Sequence, residues 1–249
     1  MHKRPKLLLV GDKAIVIEYG DEISEECNDK VLNLHNILRT EKINGVTGLI
    51  PTFRSLLIKY NPLKVNFQEL VKTINKYTDC ENNSRKYMPK IIEIPVLYGG
   101  EFGPDLTFVA KYNNISCEEV IKIHTGPLYR IYMLGFLMGF PYLGNIPDRI
   151  TAPRLDEPKI KIRAGSVGIA GNQTGIYPVD SPGGWRIIGA TPVKLYDHQR
   201  EKPILLEAGH YLRFVQINEK KFNDIKESVE TGKYLIKVED YIKQIRGFK

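Results

Sequence analysis

Residues 163–191, RAGSVGIAGNQTGIYPVDSPGGWRIIGAT, constrain the fold more than any other stretch of this chain. They hold seven glycines, no lysine and the sole tryptophan, in a protein whose other segments are rich in lysine. Glycine lets backbone approach backbone or ligand closely and tolerates positive φ. Here the glycines separate short β-type runs: Val167-Gly168-Ile169-Ala170, Gly175-Ile176-Tyr177 and Trp185-Arg186-Ile187-Ile188. That spacing predicts tightly turned antiparallel strands, with loops at 171–174 and 180–184. The loops carry amides, hydroxyls and a carboxylate, which suit a small polar ligand. The same residues also serve as plain turn formers, and residue chemistry alone leaves both readings open.

The length of 249 residues allows one large or two modest domains, and 42% hydrophobic residues suffice for a core. No apolar run approaches the roughly 20 residues of a membrane helix. The start, MHKRPKLLLVGDK, has only a four-residue apolar run, too short for the core of a signal peptide. The expectation is a soluble cytoplasmic protein with no membrane partner. Cys27, Cys80 and Cys117 are odd in number and form no CxxC pattern, which argues against a disulfide framework and against a metal site. The net charge is +7 and the pI about 9.1. Lysines are interleaved with Asp and Glu rather than gathered in a block, so no nucleic-acid partner is expected.

In chain order, residues 6–10 and 14–18 read as a hairpin. From Ser24 to about Arg39, Cys27, Val31, Leu34 and Leu38 step by three or four, the mark of a helix with one buried face. Residues 47–52 and 55–60 read as a second strand pair. Asn66 caps a second helix with Glu69 three residues on. The order ββαββα predicts an α+β layer ending in the polar linker 79–90, with the boundary near Pro89. Beyond it come a strand at 91–98, a helix opened by Pro104, and a capping box at Ser116 and Glu119 opening a helix to about His124. Val120, Ile121 and His124 set the histidine at the edge of an apolar face, either as a packing residue or as a proton carrier. The strand 130–134 leads into the apolar, glycine-rich loop 135–144, a ligand wall, a partner surface or a plug. Arg154 and Arg163 are candidate anion holders. Strands at 193–196 and 213–217, a helix at 218–231 and a basic end, 243–249, close the chain.

The sequence holds no GxxxxGK[ST] loop, no strand-led GxGxxG, no HExxH and no GxSxG elbow. A self-contained ATPase or serine hydrolase is therefore not expected.

The runs YGGEFGPDL (98–106), His124-Thr125, GFLMGFPYLG (135–144), Pro153-Arg154 and the whole of 164–192 resemble the B-type subunits of 5-oxoprolinase. That family is also known through the sporulation-kinase inhibitor KipI and as allophanate hydrolase subunit 1, and forms one half of the carboxyltransferase domain of urea carboxylase. Met138 stands where the family usually has proline. The resemblance implies an α+β protein: an N-terminal α+β sandwich domain (1–88), a cyclophilin-like antiparallel β-barrel (89–217), and a C-terminal helix and tail (218–249).

It further implies one component of a multi-subunit, ATP-dependent 5-oxoprolinase, a hydrolase that opens 5-oxoproline to glutamate with its C-type and A-type subunits, this chain being inactive alone. ATP, with Mg2+, would be used by the assembly, with nothing covalently bound. Alternatives are a KipI-like inhibitor of a sensor histidine kinase, or a urea carboxylase or allophanate hydrolase component. The implied pocket lies on the barrel, lined by Asn172, Gln173, Thr174, Tyr177, Ser181, Gly183 and Gly184. Arg154 would pair with an anion and His124 would carry protons. Phe140, Pro141 and Tyr142 would form an apolar wall or touch the C-type subunit.

Overall fold

The strand Ala14–Glu18 alternates half-buried and buried residues, so one of its faces lies on a core. The computed structural model describes residues 1–78, 88–144 and 146–241. Contacts divide the chain into two units, Met1–Met88 and Pro89–Lys249. Residues 79–87 of the expected linker, and the basic end 243–249, lie outside the described residues.

The first unit runs β1 (Lys6–Val10), β2 (Ala14–Glu18), α1 (Glu25–Glu41), β3 (Val46–Pro51), β4 (Ser55–Tyr60) and α2 (Phe67–Thr78). The strands form one antiparallel sheet in the order β1-β2-β4-β3. Ser24 starts α1: its hydroxyl accepts from the Cys27 N–H at 3.2 Å. Asn66 starts α2 by accepting from the Glu69 N–H at 2.9 Å. Ile15, Ile17, Leu56 and Ile58 of the sheet meet Val31, Leu34, Leu70 and Ile74 of the helices in one core. Period-2 and period-3.6 patterns thus close on each other.

The second unit runs β5 (Lys90–Tyr98), α3 (Leu106–Tyr112), α4 (Cys117–Thr125), β6 (Tyr129–Leu134), β7 (Pro141–Leu143), β8 (Lys159–Ile162), β9 (Ser166–Ala170), β10 (Gln173–Ile176), β11 (Ser181–Gly183), β12 (Arg186–Ala190), β13 (Tyr211–Gln216), α5 (Glu219–Glu230) and β14 (Val238–Asp240). Its main sheet follows the path β10-β9-β12-β5-β13-β6-β7, with β14 added to β5. The ends of the path, β10 and β7, lie beside each other, so the sheet curls into a nearly closed barrel. Pairings are antiparallel except β13 with β5, which run parallel from Tyr211 opposite Ile91 to Gln216 opposite Val96. The second core gathers Ile94, Val96, Val120, Ile131, Val167, Ile169, Leu212 and Phe214.

The capping box at α4 forms: the Ser116 hydroxyl accepts from the Glu119 N–H and the Glu119 carboxylate from the Ser116 N–H, each at 3.1 Å. α3 starts at Leu106, and Asp105 before it makes no side-chain cap. Its Oδ2 instead accepts from the Ile187 N–H at 2.8 Å and from Lys159 Nζ at 3.0 Å, tying α3 to β12 and β8.

Four local expectations change. Gln173 and Thr174, expected in the loop 171–174, belong to β10 and pair with Ala170 and Ile169. Part of the loop expected at 180–184 is the strand β11, paired with β8 through Ser181 opposite Ile162. The apolar loop at 135–144 contributes β7. The strand expected at 193–196 is reduced to one bridge, Tyr196 with Ile204. Edge pieces this short lack the alternating run that marks a strand in sequence. The segment after residue 217 supplies α5 and β14 to the second unit.

Candidate functional site

The glycine-rich stretch folds as the hairpin β9–β10, whose turn is Gly171 and Asn172, with Gly171 at φ +59. Gly168 and Gly175 face each other across it. A Cβ on Gly175 would stand 3.0 Å from the Trp185 ring and 3.1 Å from the Phe140 ring, so glycine here lets two aromatic rings reach the sheet. Phe140, Tyr177 and Trp185 pack mutually edge to face, with Phe140 5.5 Å from each of the other two rings and Tyr177 6.3 Å from Trp185. Ile162, Ala170 and Ile187 complete this cluster, and Tyr142 flanks it.

Tyr177 is the polar centre of that cluster. Burial pushes its phenol up; a hydrogen bond from the Trp185 backbone N–H and the nearby Arg154 charge pull partly the other way. Arg154 is delivered by an extended segment. Ala152 exchanges two backbone hydrogen bonds with Gly171, and the Leu155 N–H donates to the Gly184 carbonyl at 2.7 Å. Residues 152–155 therefore bridge the hairpin turn and the end of β11, with the exposed Arg154 between the two anchors. Ser181 Oγ is buried and has no hydrogen-bond partner among the described residues. The exposed Asn172, the half-buried Gln173, Arg154 and the Gly183-Gly184 turn thus share one side of the barrel. Thr174 and Tyr177 lie beneath them, buried.

His124 is placed differently from the expected edge position. It is fully buried, its ring centre 4.4 Å from that of Phe214 and tilted by 30°. Its Nδ1 lies 2.8 Å from the Tyr98 hydroxyl and its Nε2 2.8 Å from Thr174 Oγ1. Thr174 Oγ1 also donates to the Gly168 carbonyl at 3.1 Å. Because the threonine proton is used there, Nε2–H donates to Thr174 and Nδ1 accepts from Tyr98. The arrangement needs a neutral ring, and burial lowers the His124 pKa to about 3. Burial likewise keeps Tyr98 protonated by pushing its pKa well up. The helical period showed Val120, Ile121 and His124 on one face, but Tyr98 and Thr174, which seal that face, are distant in sequence.

Phe140 and Pro141 are also buried within the chain and Tyr142 is half-buried, because β7 pairs with β6. The members of that loop exposed to solvent are Phe136, at 75%, and Met138, at 56%.

A cavity of about 520 Å³ lies elsewhere in the second unit. Its wall comes from β8, the turn after it, residues 190–194 and α5; none of Arg154, Asn172, Gln173, Thr174, Tyr177, Ser181, Gly183 or Gly184 lines it. Arg163 does, with Lys159, Lys161, Lys194 and Lys226. These lysines read in sequence as part of a dispersed solvated background. The one available signal was the Lys-Ile-Lys-Ile alternation of β8, which sets Lys159 and Lys161 on one face.

Among the described residues, side chains within metal-ligand reach of one another are His2, Glu18 and Asp21 in the first unit. Glu18 is already engaged there by Arg54 at 3.2 Å and by His2 at 3.4 Å, an ion-pair cluster. No helix among the described residues is long and apolar enough to cross a membrane.

Known proteins share this architecture. The 5-oxoprolinase B subunit of Bacillus subtilis is 42% identical over 237 residues, covering 91% of this chain and 99% of that protein. The B subunit of the Haemophilus influenzae 5-oxoprolinase is 45% identical over 175 residues, 70% of this chain and 78% of its own length. The crystal structure of the Kluyveromyces lactis urea amidolyase superposes with a TM-score of 0.75 at 21% identity, over 95% of this chain and 16% of that far longer one. That likeness is one of fold. Residues 5–206 match the family described as carboxyltransferase domain, subdomain C and D. Over four-fifths of its length, then, and in both of its units, the chain belongs to the carboxyltransferase domain family, subdomain C and D.

Proposed function

We propose that the chain acts as the B-type subunit of a multi-subunit 5-oxoprolinase, which opens the lactam of 5-oxoproline to glutamate in an ATP-dependent reaction with C-type and A-type subunits. The observation that carries this reading is the likeness to the B. subtilis protein, at 42% identity over almost its whole length. ATP would supply the phosphoryl group that makes the lactam carbonyl a better electrophile.

The residues around the β9–β10 turn suit binding and orienting such a substrate. Arg154 offers paired donors to the carboxylate of 5-oxoproline. The Asn172 and Gln173 amides can both donate and accept, which matches a lactam with one N–H and one carbonyl. The Phe140, Tyr177 and Trp185 cluster gives a dry floor, where hydrogen bonds to a developing charge are strengthened. His124 holds the hairpin from beneath as a positioning residue, through Thr174. Phe136 and Met138 offer an exposed apolar contact for the C-type subunit.

The test is glutamate formation from 5-oxoproline and ATP by this chain mixed with its A-type and C-type partners, each omitted in turn. Activity requiring all three supports the reading. No activity from three folded proteins overturns it and turns attention to inhibition of a sensor histidine kinase.

A further inference from the structure

The cavity beside α5 collects positive charge. Lys159, Lys161, Arg163, Lys194 and Lys226 line it, against the carboxylates of Glu101 and Glu230. Two of the five cations are already paired: Lys159 with Asp105 at 3.0 Å and Lys161 with Asp180 at 2.7 Å. Arg163, Lys194 and Lys226 have no carboxylate within ion-pair distance among the described residues. Gathering unpaired cations around one concavity costs mutual repulsion, which a bound anion converts into attraction, and the apolar walls of a cleft concentrate that field.

The rest of the wall is apolar. Ile162 and Ile187 come from the barrel and Phe222 from α5, and the Phe222 ring lies 4.8 Å from that of Phe102, tilted by 51°. The volume of about 520 Å³ falls within the range of roughly 300–1,000 Å³ common for small-molecule sites. A single small anion would leave that apolar surface uncovered.

We propose that this cavity binds a small molecule joining a polyphosphate group to a flat-ringed body, a nucleoside triphosphate being the type. Arg163 supplies the bidentate fork for one phosphate, Lys194 and Lys226 supply point charges for the others, and Phe222 meets the ring. The site stands apart from the hairpin face, and it does not depend on the oxoprolinase reading.

The test is calorimetric titration of the full chain with ATP, inorganic tripolyphosphate and adenosine as separate probes. ATP is expected to bind saturably and more tightly than tripolyphosphate, with adenosine giving no measurable heat. The double variant Arg163→Gln/Lys226→Gln is expected to weaken ATP binding by roughly tenfold or more, because two charge-assisted contacts are removed. Its thermal melt should match that of the parent, and Lys59→Gln in the first unit should bind ATP as the parent does. Absence of saturable ATP binding, or equal affinity in the double variant, would overturn the site. Tripolyphosphate binding as tightly as ATP would overturn the role given to Phe222.

Discussion

His124 and Thr174 are both buried and joined by a 2.8 Å hydrogen bond between Nε2 and Oγ1, which ties α4 to the hairpin β9–β10. The pH dependence of stability follows from this bond. The folded pKa of His124 is about 3, below its ordinary 6.5. Above the ordinary value the ring is neutral in both states and its stabilising contribution is fully present. As pH falls from there towards 3, the unfolded chain takes up a proton that the folded chain refuses, so stability falls. The slope for this one group approaches roughly 1.4 kcal/mol per pH unit. His35 and His210 are also lowered by burial and add to the slope. Urea denaturation from pH 7.5 to 4.5 should therefore show a steeper loss for the parent than for His124→Gln. Parallel curves would rule out the buried neutral ring.

Gly183 and Tyr177 make the second prediction. A Cβ at residue 183 would lie 2.3 Å from the Tyr177 hydroxyl oxygen and 2.8 Å from Ile162 Cδ1. The phenol is the tip of a buried ring wedged against Phe140 and Trp185, so it has little room to retreat. Gly183→Ala should destabilise the chain by about 1–3 kcal/mol, the usual range for overpacking. It should also lower the activity of the assembled enzyme. A melting temperature equal to the parent's would show that the turn relaxes freely.

Arg154 is exposed, and its side chain has no hydrogen-bond or ion-pair partner among the described residues, so Arg154→Gln should melt like the parent. In the assembled enzyme it should raise KM for 5-oxoproline by roughly tenfold or more, the scale of one lost charge-assisted pair. Asn172→Ala should act in the same direction with a smaller effect. Unchanged kinetics in both variants would move the substrate away from the hairpin turn.

Phe136 and Met138 point into solvent, and Phe136 holds a positive φ of 62 that few non-glycine residues adopt. The double variant Phe136→Asp/Met138→Asp should leave monomer stability within about 0.5 kcal/mol, as exposed substitutions do. Its association with the proposed C-type partner, followed by analytical ultracentrifugation, should weaken by tenfold or more, roughly the loss of a hot-spot pair. Undiminished association would place that partner on another face.

Local rules read well from this sequence where a signal closes within a few residues. Ser24, Asn66 and the Ser116–Glu119 box cap their helices through hydrogen bonds spanning three residues. The Gly171-Asn172 turn follows from glycine chemistry in the same way. What stayed hidden depends on partners far along the chain. His124 is buried by Tyr98 and Thr174, β11 exists only because β8 lies beside it, and the cationic cavity needs α5 and β8, far apart in sequence, to line one hollow. The apolar loop holding Phe140 and Pro141 read equally as a ligand wall, a partner surface or a plug, and pairing of β7 with β6 draws these two residues inside. Charge composition named the lysines without saying that four of them share one wall with Arg163.

The strand β5 is paired along one edge by β13 and shares its other edge between β14, at Lys90–Ile92, and β12, at Leu97 and Tyr98. Every strand it needs is made later, the parallel partner more than a hundred residues later. Long-range parallel pairing is slow, because a large loop must close before any ladder bond forms. During synthesis β5 therefore emerges with both edges bare, while the first unit already holds all its own partners. Until Tyr211–Gln216 has been made, the nascent chain carries an apolar strand with bare edges, the kind of segment that invites aggregation and chaperone binding.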